Sequence, residues 1–558
     1  MSVLQRQSKN HVLLFSVFAI ICFFITAFLF SFQQNLWVDE TTQLSGLGLS
    51  FTEIYLWLSD LIETPFSVPS DRMPVLSYWF GMLWSYFFTL DVLVMRWLSL
   101  FFVMLALVIL CGFFFKRQQY SVLLAATLFL CLSPNLTVLA VEIRAYALFF
   151  LFSVIAVLLY VQIICFVEQE RNAFTSALAL TCVLVLAINT HFFGLVLAGS
   201  LLAAYLLMAL WDRRFVLHVK IIFAVGTILL LGTSFVVLPV IGAFASQGGG
   251  AEASVAASSL QETISLRETI RSAVKLAYRL VAHQTMGEIA FFPLLALLIV
   301  YGVIILSVIK HPTVMKTVLL LALLLGCMTV FLANIFLSSF DALAPHYNVW
   351  MLPLLAVLFG YAVGDLLSAK RAYMITVLGV VGATCGYGQW TLAFSGEKYA
   401  HTRFSEIQQR VESYSAIGAI GGIKSIGEIE RSVPLKISIV YNRSMAKTWF
   451  AGIYTFPRSV NQYVVEQADT GLRAYISLYD GEAISAFDVA EHSDIIISAY
   501  GETIYSAELN ASEHAAPVRE GHPVFEQIAP PEPMWRQLEA MTFLAQESAN
   551  IVVYKKTP

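Results

Sequence analysis

The stretch 11-HVLLFSVFAIICFFITAFLFSFQQNLWVDETTQ-43 joins a long apolar run to two adjacent carboxylates. Residues 11–31 supply the roughly 20 apolar positions that a helix needs to cross the hydrocarbon core of a bilayer. Asp39 and Glu40 follow close behind this run, in a part of the chain where carboxylates are otherwise scarce. The stretch therefore predicts a membrane-spanning fold with polar chemistry at the edge of its first helix.

Composition extends this prediction to most of the chain. Of the 558 residues, 58% are hydrophobic and only 13% are charged, and the mean hydropathy is +0.76, whereas soluble proteins average about 25% charged residues. Apolar runs of sufficient length predict about eleven membrane spans. These spans are residues 11–31, 92–115, 120–134, 146–167, 173–190, 192–211, 216–240, 290–309, 317–337, 348–367 and 372–394.

Basic residues in alternate connections predict how the chain crosses the membrane. They are Arg6, Lys9, Lys116, Arg117, Arg171, Arg213, Arg214, Lys220, Lys310, Lys316, Lys370 and Arg371. The positive-inside rule places this set, and the N-terminus with it, in the cytoplasm of a plasma (inner) membrane protein. An odd number of spans then places the loops 32–91 and 241–289 and the C-terminal region on the extracytoplasmic, or periplasmic, side.

The chain divides by composition into a membrane domain, residues 1–394, and a C-terminal domain, residues 395–558. The second contains 14 Lys and Arg against 20 Asp and Glu, which is typical of an acidic soluble domain. Strand-like runs at 435–441, 474–478, 494–498 and 550–554, with a helix near 445–451, predict an α/β fold. The fold class is thus a polytopic α-helical membrane protein with a soluble α/β domain. Within the first external loop, 50–62 and 74–89 are expected to be helices lying in the membrane interface.

The predicted external side collects most of the residues that could carry chemistry. Charged groups gathered at one face of a helix bundle are a default site hypothesis, because burying them without a use is costly. The motifs are Asp39-Glu40, Arg72-x-Pro74-x-Leu76-x-Tyr78-Trp79, Arg96, Glu142-Ile-Arg144-Ala-Tyr146, Thr190-His191-Phe-Phe-Gly194 and Pro345-His346-Tyr347-Asn348.

In their order and predicted side, these motifs resemble those of the GT-C class of membrane glycosyltransferases over residues 11–394. The subgroup they resemble contains the lipid A aminoarabinose transferase and the protein O-mannosyltransferases. The resemblance implies a donor sugar carried on a polyprenyl phosphate, with Asp39 as catalytic base assisted by Glu40. It also implies residues that bind the donor phosphate or substrate: Arg72, Tyr78, Arg96, Arg144, His191, His346 and Tyr347. His346 stands where many relatives carry arginine, so we expect a titratable cation there.

Structural roles compete with several of these assignments. Asp39 and Glu40 could cap a helix N-terminus, and Arg72 and Arg96 could reach for lipid headgroups. His191 could be a structural histidine at a helix junction. Some GT-C enzymes use a divalent ion, for which Asp39, Glu40 and a histidine are candidate ligands, but no spacing in the sequence requires a metal. No cofactor is otherwise expected.

A cationic stripe is expected on a helix within the loop 241–289. Arg267, Arg271, Lys275 and Arg279 recur every four residues and fall within about 120° of the helix circumference. One interpretation is an interfacial helix that rests on anionic lipid headgroups. The other is that the stripe guides an anionic lipid donor or acceptor to the site.

The function expected is transfer of a sugar from a polyprenyl-phosphate donor to a hydroxyl or phosphate of a glycolipid, glycan or protein acceptor, with inversion. A GT-C glycan polymerase or ligase would differ only in the size of the donor. A transporter or flippase of lipid-linked sugars is the alternative from another class, although no internal repeat typical of transporters is detected. Membrane lipids are expected partners, and nucleic acids are not.

Overall fold

The computed structural model describes residues 3–32, 38–62, 73–88, 92–216, 226–227, 266–281, 291–336, 342–369 and 371–394, together with seven strands between residues 437 and 556. The chain separates into two compact units. The first comprises Met1–Gln33, Gly46–Ile62 and Ser70–Glu397, and the second comprises Gln34–Ser45, Glu63–Pro69 and Lys398–Pro558.

Helices account for nearly all of the first unit that the structure describes. In chain order the helices are α1 (Val3–Ser31), α2 (Val38–Leu47), α3 (Phe51–Leu58), α4 (Leu76–Phe87), α5 (Val92–Lys116), α6 (Tyr120–Cys131), α7 (Pro134–Leu139), α8 (Tyr146–Glu168), α9 (Phe174–Thr190), α10 (Phe193–Trp211), α11 (Leu266–Val281), α12 (Phe291–Lys310), α13 (Val314–Phe336), α14 (Met351–Ala369) and α15 (Arg371–Phe394). Part of α2 belongs to the second unit.

Five of these helices contain segments long and apolar enough to cross a membrane: Asn10–Ser31, Val92–Lys116, Tyr146–Glu168, Phe193–Trp211 and Val314–Ile335. Shorter apolar helices occupy the predicted spans that begin at 120, 173, 290, 348 and 372. The chain is therefore an integral membrane protein. The predicted span 216–240 lies almost wholly outside the described residues, so the total of eleven stays a prediction.

Two helices form the core of the membrane unit. Most of α8 is buried, and it packs against α5 and α9. Helix α14 packs chiefly against α6, where Gly360 allows close approach: a Cβ on Gly360 would lie 2.8 Å from Cγ1 and 3.0 Å from the carbonyl oxygen of Val122. Helix α8 begins at the last residue of the predicted motif Glu142–Tyr146, and α14 begins three residues after the predicted motif Pro345–Asn348. Packing of these helices thus fixes the start points of two candidate site segments.

A buried ion pair joins three helices at the far end of α14 from those motifs. Lys316 of α13 donates from Nζ to Asp365 of α14 at 2.6 Å and to Oγ of Ser307, on α12, at 3.1 Å. The Ser307 hydroxyl also donates to Asp365. Lys316 is only 2% exposed, so burying this ammonium requires the carboxylate beside it.

The short helices of the first external loop form a small aromatic core. Ser50 and Glu53 make a reciprocal capping box at the start of α3, an arrangement that satisfies free N–H groups at a helix N-terminus. Trp57 of α3 and Tyr78 of α4 meet edge to face at 5.6 Å. Gly46 lies against both rings, with no space for a side chain. The helices expected within 50–62 and 74–89 are present, and their position in the membrane interface stays a prediction.

The strands of the second unit form one mixed seven-stranded sheet, in the order β4-β3-β2-β1-β5-β7-β6. They are β1 (Ile437–Asn442), β2 (Val460–Gln467), β3 (Arg473–Ser477), β4 (Ala483–Ile484), β5 (Ile495–Ser498), β6 (Phe525–Pro533) and β7 (Asn550–Lys556). Strand β1 pairs in parallel with β2 and β5, and the other pairs are antiparallel. Four strands coincide with predicted runs, whereas β2, β4 and β6 were not predicted. The helix expected near 445–451 lies outside the described residues.

Candidate active site

Three separated segments bring aromatic and imidazole rings into one cluster. The rings are those of Tyr146 and Phe149 at the start of α8, His191 and Phe193 between α9 and α10, and His346 and Tyr347 in the turn before α14; together they are called the ring cluster. Ring centroids lie 5.5 Å apart for Tyr146 and His191 and 5.1 Å apart for Tyr146 and His346. Those of His191 and Tyr347 lie 5.7 Å apart. Predicted site residues distant in sequence therefore meet in space.

His191 is held from both sides of a helix junction. Its backbone N–H donates to the carbonyl of Ala187, the last turn of α9, at 3.0 Å. Its own carbonyl accepts from Gly194 at 2.8 Å, and its Nδ1 accepts the backbone N–H of Phe193 at 3.2 Å. Because Nδ1 is an acceptor, the imidazole is neutral and carries its proton on Nε2.

The Nε2–H group of His191 is buried and has no hydrogen-bond partner among the described residues. The side chain belongs to a residue that is 1% exposed, and Phe149 stacks on its ring at 5.3 Å. A buried donor without an acceptor costs about 1–3 kcal/mol. Such a group is expected where a ligand oxygen or an ordered water supplies the acceptor.

Asn348 shapes the turn that presents His346 and Tyr347. Its fully buried side-chain amide donates to the carbonyl of Ala342 at 2.8 Å and to that of Ala344 at 3.0 Å. Backbone hydrogen bonds from Tyr347 to Ala344 and from Asn348 to Pro345 tighten the same turn. The two rings are therefore positioned by a local polar network rather than by α14 alone.

Positive charge reaches the ring cluster from Arg144 and Arg279. The Arg144 guanidinium carbon lies 5.7 Å from the centroid of the Tyr146 ring, and Arg144 is 7% exposed. Burial, followed by the charge of Arg144, lowers the pKa of His191 to about 3. Burial and the charges of Arg144 and Arg279 lower the pKa of His346 to about 3 as well. The expectation that His346 supplies a cation is therefore wrong: both histidines are neutral at pH 7.

The predicted base lies in the first turn of α2. Asp39 and Glu40 are the second and third residues of that helix, where carboxylates favour the positive end of the helix dipole. Glu40 is buried, at 2% exposed, and the side chain of Asp39 lies outside the described residues. Both residues belong to the second unit. Arg72 is also outside the described residues.

Two further predicted residues have structural contacts. Arg96 is buried and donates from Nη1 to the carbonyl of Ser31 at 3.0 Å. That carbonyl is one of the last of α1, so the guanidinium caps a helix C-terminus. Tyr78 is fully buried in the core of the short helices, against Trp57. Their predicted roles in substrate binding stay proposals.

The cationic stripe lies on α11. Arg267 and Arg271 are exposed, whereas Lys275 and Arg279 are partly buried. Arg279 was predicted as one cation of a stripe that either rests on headgroups or guides an anionic lipid to the site, and its charge acts on His346. The four-residue spacing identified Arg279 as a cation on the stripe, but no local pattern could link it to a turn 67 residues later in the chain.

The member of the ring cluster that the sequence did not indicate is Phe149, which stacks on His191. Its sequence context is an ordinary apolar helix, so no signal distinguishes it from core residues. Tyr146 and Phe193 lie within the predicted motifs but were not predicted as site residues. Among the described residues, no three His, Cys, Asp or Glu side chains form a group that could hold a metal ion.

No protein-family model and no curated protein sequence matches the chain at a significant level. Solved structures do. ArnT from Cupriavidus metallidurans in the apo state has a TM-score of 0.50 at 13% sequence identity, with 98% of each chain covered. The same protein bound to undecaprenyl phosphate has a TM-score of 0.48 at 14% identity, again with 98% of each chain covered.

An archaeal oligosaccharyltransferase is also similar. AglB from Archaeoglobus fulgidus, in complex with an inhibitory peptide and a dolichol-phosphate, has a TM-score of 0.46 at 10% identity, with 100% of this chain and 89% of that chain covered. ArnT and AglB are both GT-C glycosyltransferases. The resemblance predicted from the sequence is thus confirmed at the level of fold: over almost its whole length, the chain has the fold of ArnT.

Proposed function

We propose that the protein is a membrane glycosyltransferase that moves a sugar from a polyprenyl-phosphate donor to an acceptor hydroxyl or phosphate at the extracytoplasmic face. The observation that carries the proposal is the ring cluster with its two arginines. It combines fixed positive charge from Arg144 and Arg279 with the Nε2–H of His191, which has no acceptor among the described residues. These groups suit a phosphate: guanidinium groups bind its oxygens as forks, and a neutral imidazole adds one directed hydrogen bond.

The fold supports the same ligand class. ArnT, whose fold the chain shares, has been crystallised with undecaprenyl phosphate, a single-chain polyprenyl phosphate. We therefore propose a monophosphate-linked sugar as donor.

The proposed reaction is a single displacement. As the acceptor oxygen forms its bond to the anomeric carbon, the bond from that carbon to the phosphate oxygen breaks, so the configuration inverts. Asp39, as base, takes the proton from the acceptor hydroxyl, with Glu40 as its partner. The departing phosphate gains negative charge, which Arg144, Arg279 and His191 stabilise more strongly in the transition state than in the bound donor.

The remaining predicted residues take supporting roles in this proposal. Arg72 and Arg96 are proposed as further cations for the donor, and Tyr78, His346 and Tyr347 as walls of the sugar or phosphate site. Because both histidines are neutral, the donor site keeps its charge across the pH range in which an ordinary histidine titrates.

The test is reconstitution of the protein in liposomes with a panel of undecaprenyl-phosphate sugars, with release of free undecaprenyl phosphate as the readout. Asp39→Asn should lower kcat about 10²- to 10⁴-fold, the usual contribution of a general base. Arg144→Gln should raise KM for the donor as well as lower kcat. The matched controls are Asp212→Asn and Arg214→Gln, because these two residues form an exposed ion pair with each other.

Two results would contradict the proposal. Full transfer by Asp39→Asn removes the base assignment. Movement of intact lipid-linked sugar across the bilayer, with no new glycosidic bond, would make the protein a transporter. Transfer of an oligosaccharide rather than a monosaccharide would instead identify a GT-C polymerase or ligase.

A further inference from the structure

The cations of α11 are exposed at one end of the helix and partly buried at the other. Arg267 and Arg271 are exposed and form no ion pair with any carboxylate of the described residues, whereas Lys275 and Arg279 are partly buried. At 1.5 Å per residue the four side chains are spread along about 18 Å of helix. The last, Arg279, acts electrostatically on His346 in the ring cluster.

The same side of α11 changes from exposed to buried along the helix. Arg267 and Tyr278 point in nearly the same direction, because eleven residues make about three full turns. Arg267 is exposed, but Tyr278 is only 4% exposed. A helix lying flat on lipid headgroups would keep one side equally exposed throughout. Helix α11 instead becomes more buried from its N-terminal to its C-terminal end, and its cations follow the same change in exposure.

Tertiary contacts hold α11 in this position. The side chain of Thr269, fully buried, accepts a hydrogen bond from Asn334 of α13 at 3.5 Å. Tyr301 of α12 donates to the carbonyl of Ala277 at 3.3 Å. Thr269 lies about 160° around the helix from both Arg267 and Arg271, so its contact with α13 does not cover these two cations.

Apolar side chains accompany the exposed cations. Ile270 is 49% exposed and Val274 is 58% exposed, and both lie beside the cationic stripe on the helix surface. The exposed half of α11 thus offers positive charge next to branched aliphatic surface. A lipid with an anionic head and an unsaturated branched tail matches both parts.

We propose that α11 is an entry track for a polyprenyl phosphate, along which the phosphate passes from Arg267 and Arg271 to Arg279 and the ring cluster. The isoprenoid chain lies against Ile270 and Val274 during this passage. The inference rests on the proposed function for the identity of the lipid, but the track itself is a binding surface. Its cations raise the rate of donor capture rather than the rate of the chemical step.

The test uses the double variant Arg267→Gln/Arg271→Gln in the full-length protein. An exposed cation next to an anionic lipid contributes about 1 kcal/mol, or roughly 5-fold. The double variant should therefore bind fluorescent undecaprenyl phosphate roughly 25-fold more weakly at low salt. In the transfer assay, kcat/KM for the undecaprenyl-linked donor should fall while kcat is unchanged.

Three controls separate the track from other roles. Arg267→Lys/Arg271→Lys keeps the charge and should bind normally. Arg213→Gln/Arg214→Gln makes the same change in net charge at an exposed site elsewhere and should also bind normally. A short, water-soluble isoprenyl-phosphate donor is not confined to the membrane and can reach the ring cluster directly from water, so the glutamine variant should use it as well as the wild type does.

Each contrary outcome is distinct. Equal losses with short and long donors, or a lower unfolding temperature, would assign the two arginines to the site or to the fold and overturn the track. If phosphatidylglycerol displaces the fluorescent lipid as effectively as unlabelled undecaprenyl phosphate does, α11 only contacts lipid headgroups, and the track is overturned as well. If the wild type binds undecaprenyl phosphate through these arginines but transfers no sugar, the proposed function fails and the track stands.

Discussion

The substitution Gly194→Ala tests how His191 is positioned. A Cβ on Gly194 would lie 2.6 Å from the backbone nitrogen of Ile188 and 2.7 Å from the carbonyl carbon of Ala187. Ordinary contact begins at 3.4 Å, so the two helices must separate by about 0.8 Å at this point. The atoms in the way belong to the last turn of α9, whose Ala187 carbonyl accepts from His191. Relief of the clash therefore displaces the backbone that positions His191.

The magnitude follows from comparison with Gly199→Ala on the same helix. A Cβ on Gly199 meets nothing within 4 Å, so this variant gains helix propensity of up to about 1 kcal/mol without a clash. Overpacking costs about 1–3 kcal/mol. Gly194→Ala should thus be less stable than Gly199→Ala by about 1–3 kcal/mol. A misplacement approaching 1 Å in a substrate-binding group can cost up to about 10²-fold in rate.

The assay is thermal unfolding in one detergent, followed by tryptophan fluorescence, together with kcat/KM for the lipid-linked donor. Gly194→Ala should lose both stability and donor affinity, and Gly199→Ala neither. Adding Ile188→Ala should not rescue Gly194→Ala, because the clash is with backbone atoms. If Gly194→Ala matches Gly199→Ala in both assays, close helix approach does not position His191.

Asn348→Asp replaces a buried amide that donates to two carbonyls with a carboxylate that faces them, and should cost about 2–4 kcal/mol in unfolding free energy. The control is Asn172→Asp, where the side chain only accepts a hydrogen bond. This control should be neutral in the same unfolding assay. Asp365→Asn leaves the Lys316 ammonium buried without its counter-ion and should lower the free energy of unfolding by about 3 kcal/mol. The double variant Lys316→Met/Asp365→Leu should recover most of that loss. If it recovers none, burial of the unpaired charge is not the cause. The folded pKa of His191, about 3, lies below its ordinary value near 6.5, so the stability it contributes is complete above pH 6.5 and is lost as the pH falls toward 3, by about 1.4 kcal/mol per pH unit. His191→Asn keeps an acceptor for Phe193 and should weaken this acid dependence of the unfolding temperature, leaving the part that comes from His346, whose pKa is also about 3. An unchanged slope would mean that His191 is protonated in the folded state.

Periodicity and span length predicted most of the membrane helices, because a bilayer imposes a minimum apolar length that the sequence displays directly. The break between two spans at His191 was also predictable, since Asn189, Thr190 and His191 interrupt an apolar run. The predicted span 120–134 proved to be two helices, with Pro134 at the start of the second. Proline is well placed there, because the first helical residue needs no N–H partner.

The candidate site was predictable in its members but not in its electrostatics. Motif order identified Arg144, His191, His346 and Tyr347, and the structure brings them together. That both histidines are neutral depends on burial and on two arginines from other segments, which no local pattern contains. Lys316 shows the same limit: as a sequence position it counted toward the positive-inside rule, but in the structure it is a buried partner of Asp365.

The two outer strands of the C-terminal sheet have a consequence for solubility. Strand β6 carries Pro530, Pro531 and Pro533 and is interrupted by register shifts, whereas β4, at the other edge, is only two residues long. Proline offers no N–H to a neighbouring chain, and a very short strand offers too few hydrogen bonds to template one. Both edges are thus poor acceptors of an additional strand. Copies crowded together on one membrane are protected against joining their sheets into a continuous aggregate.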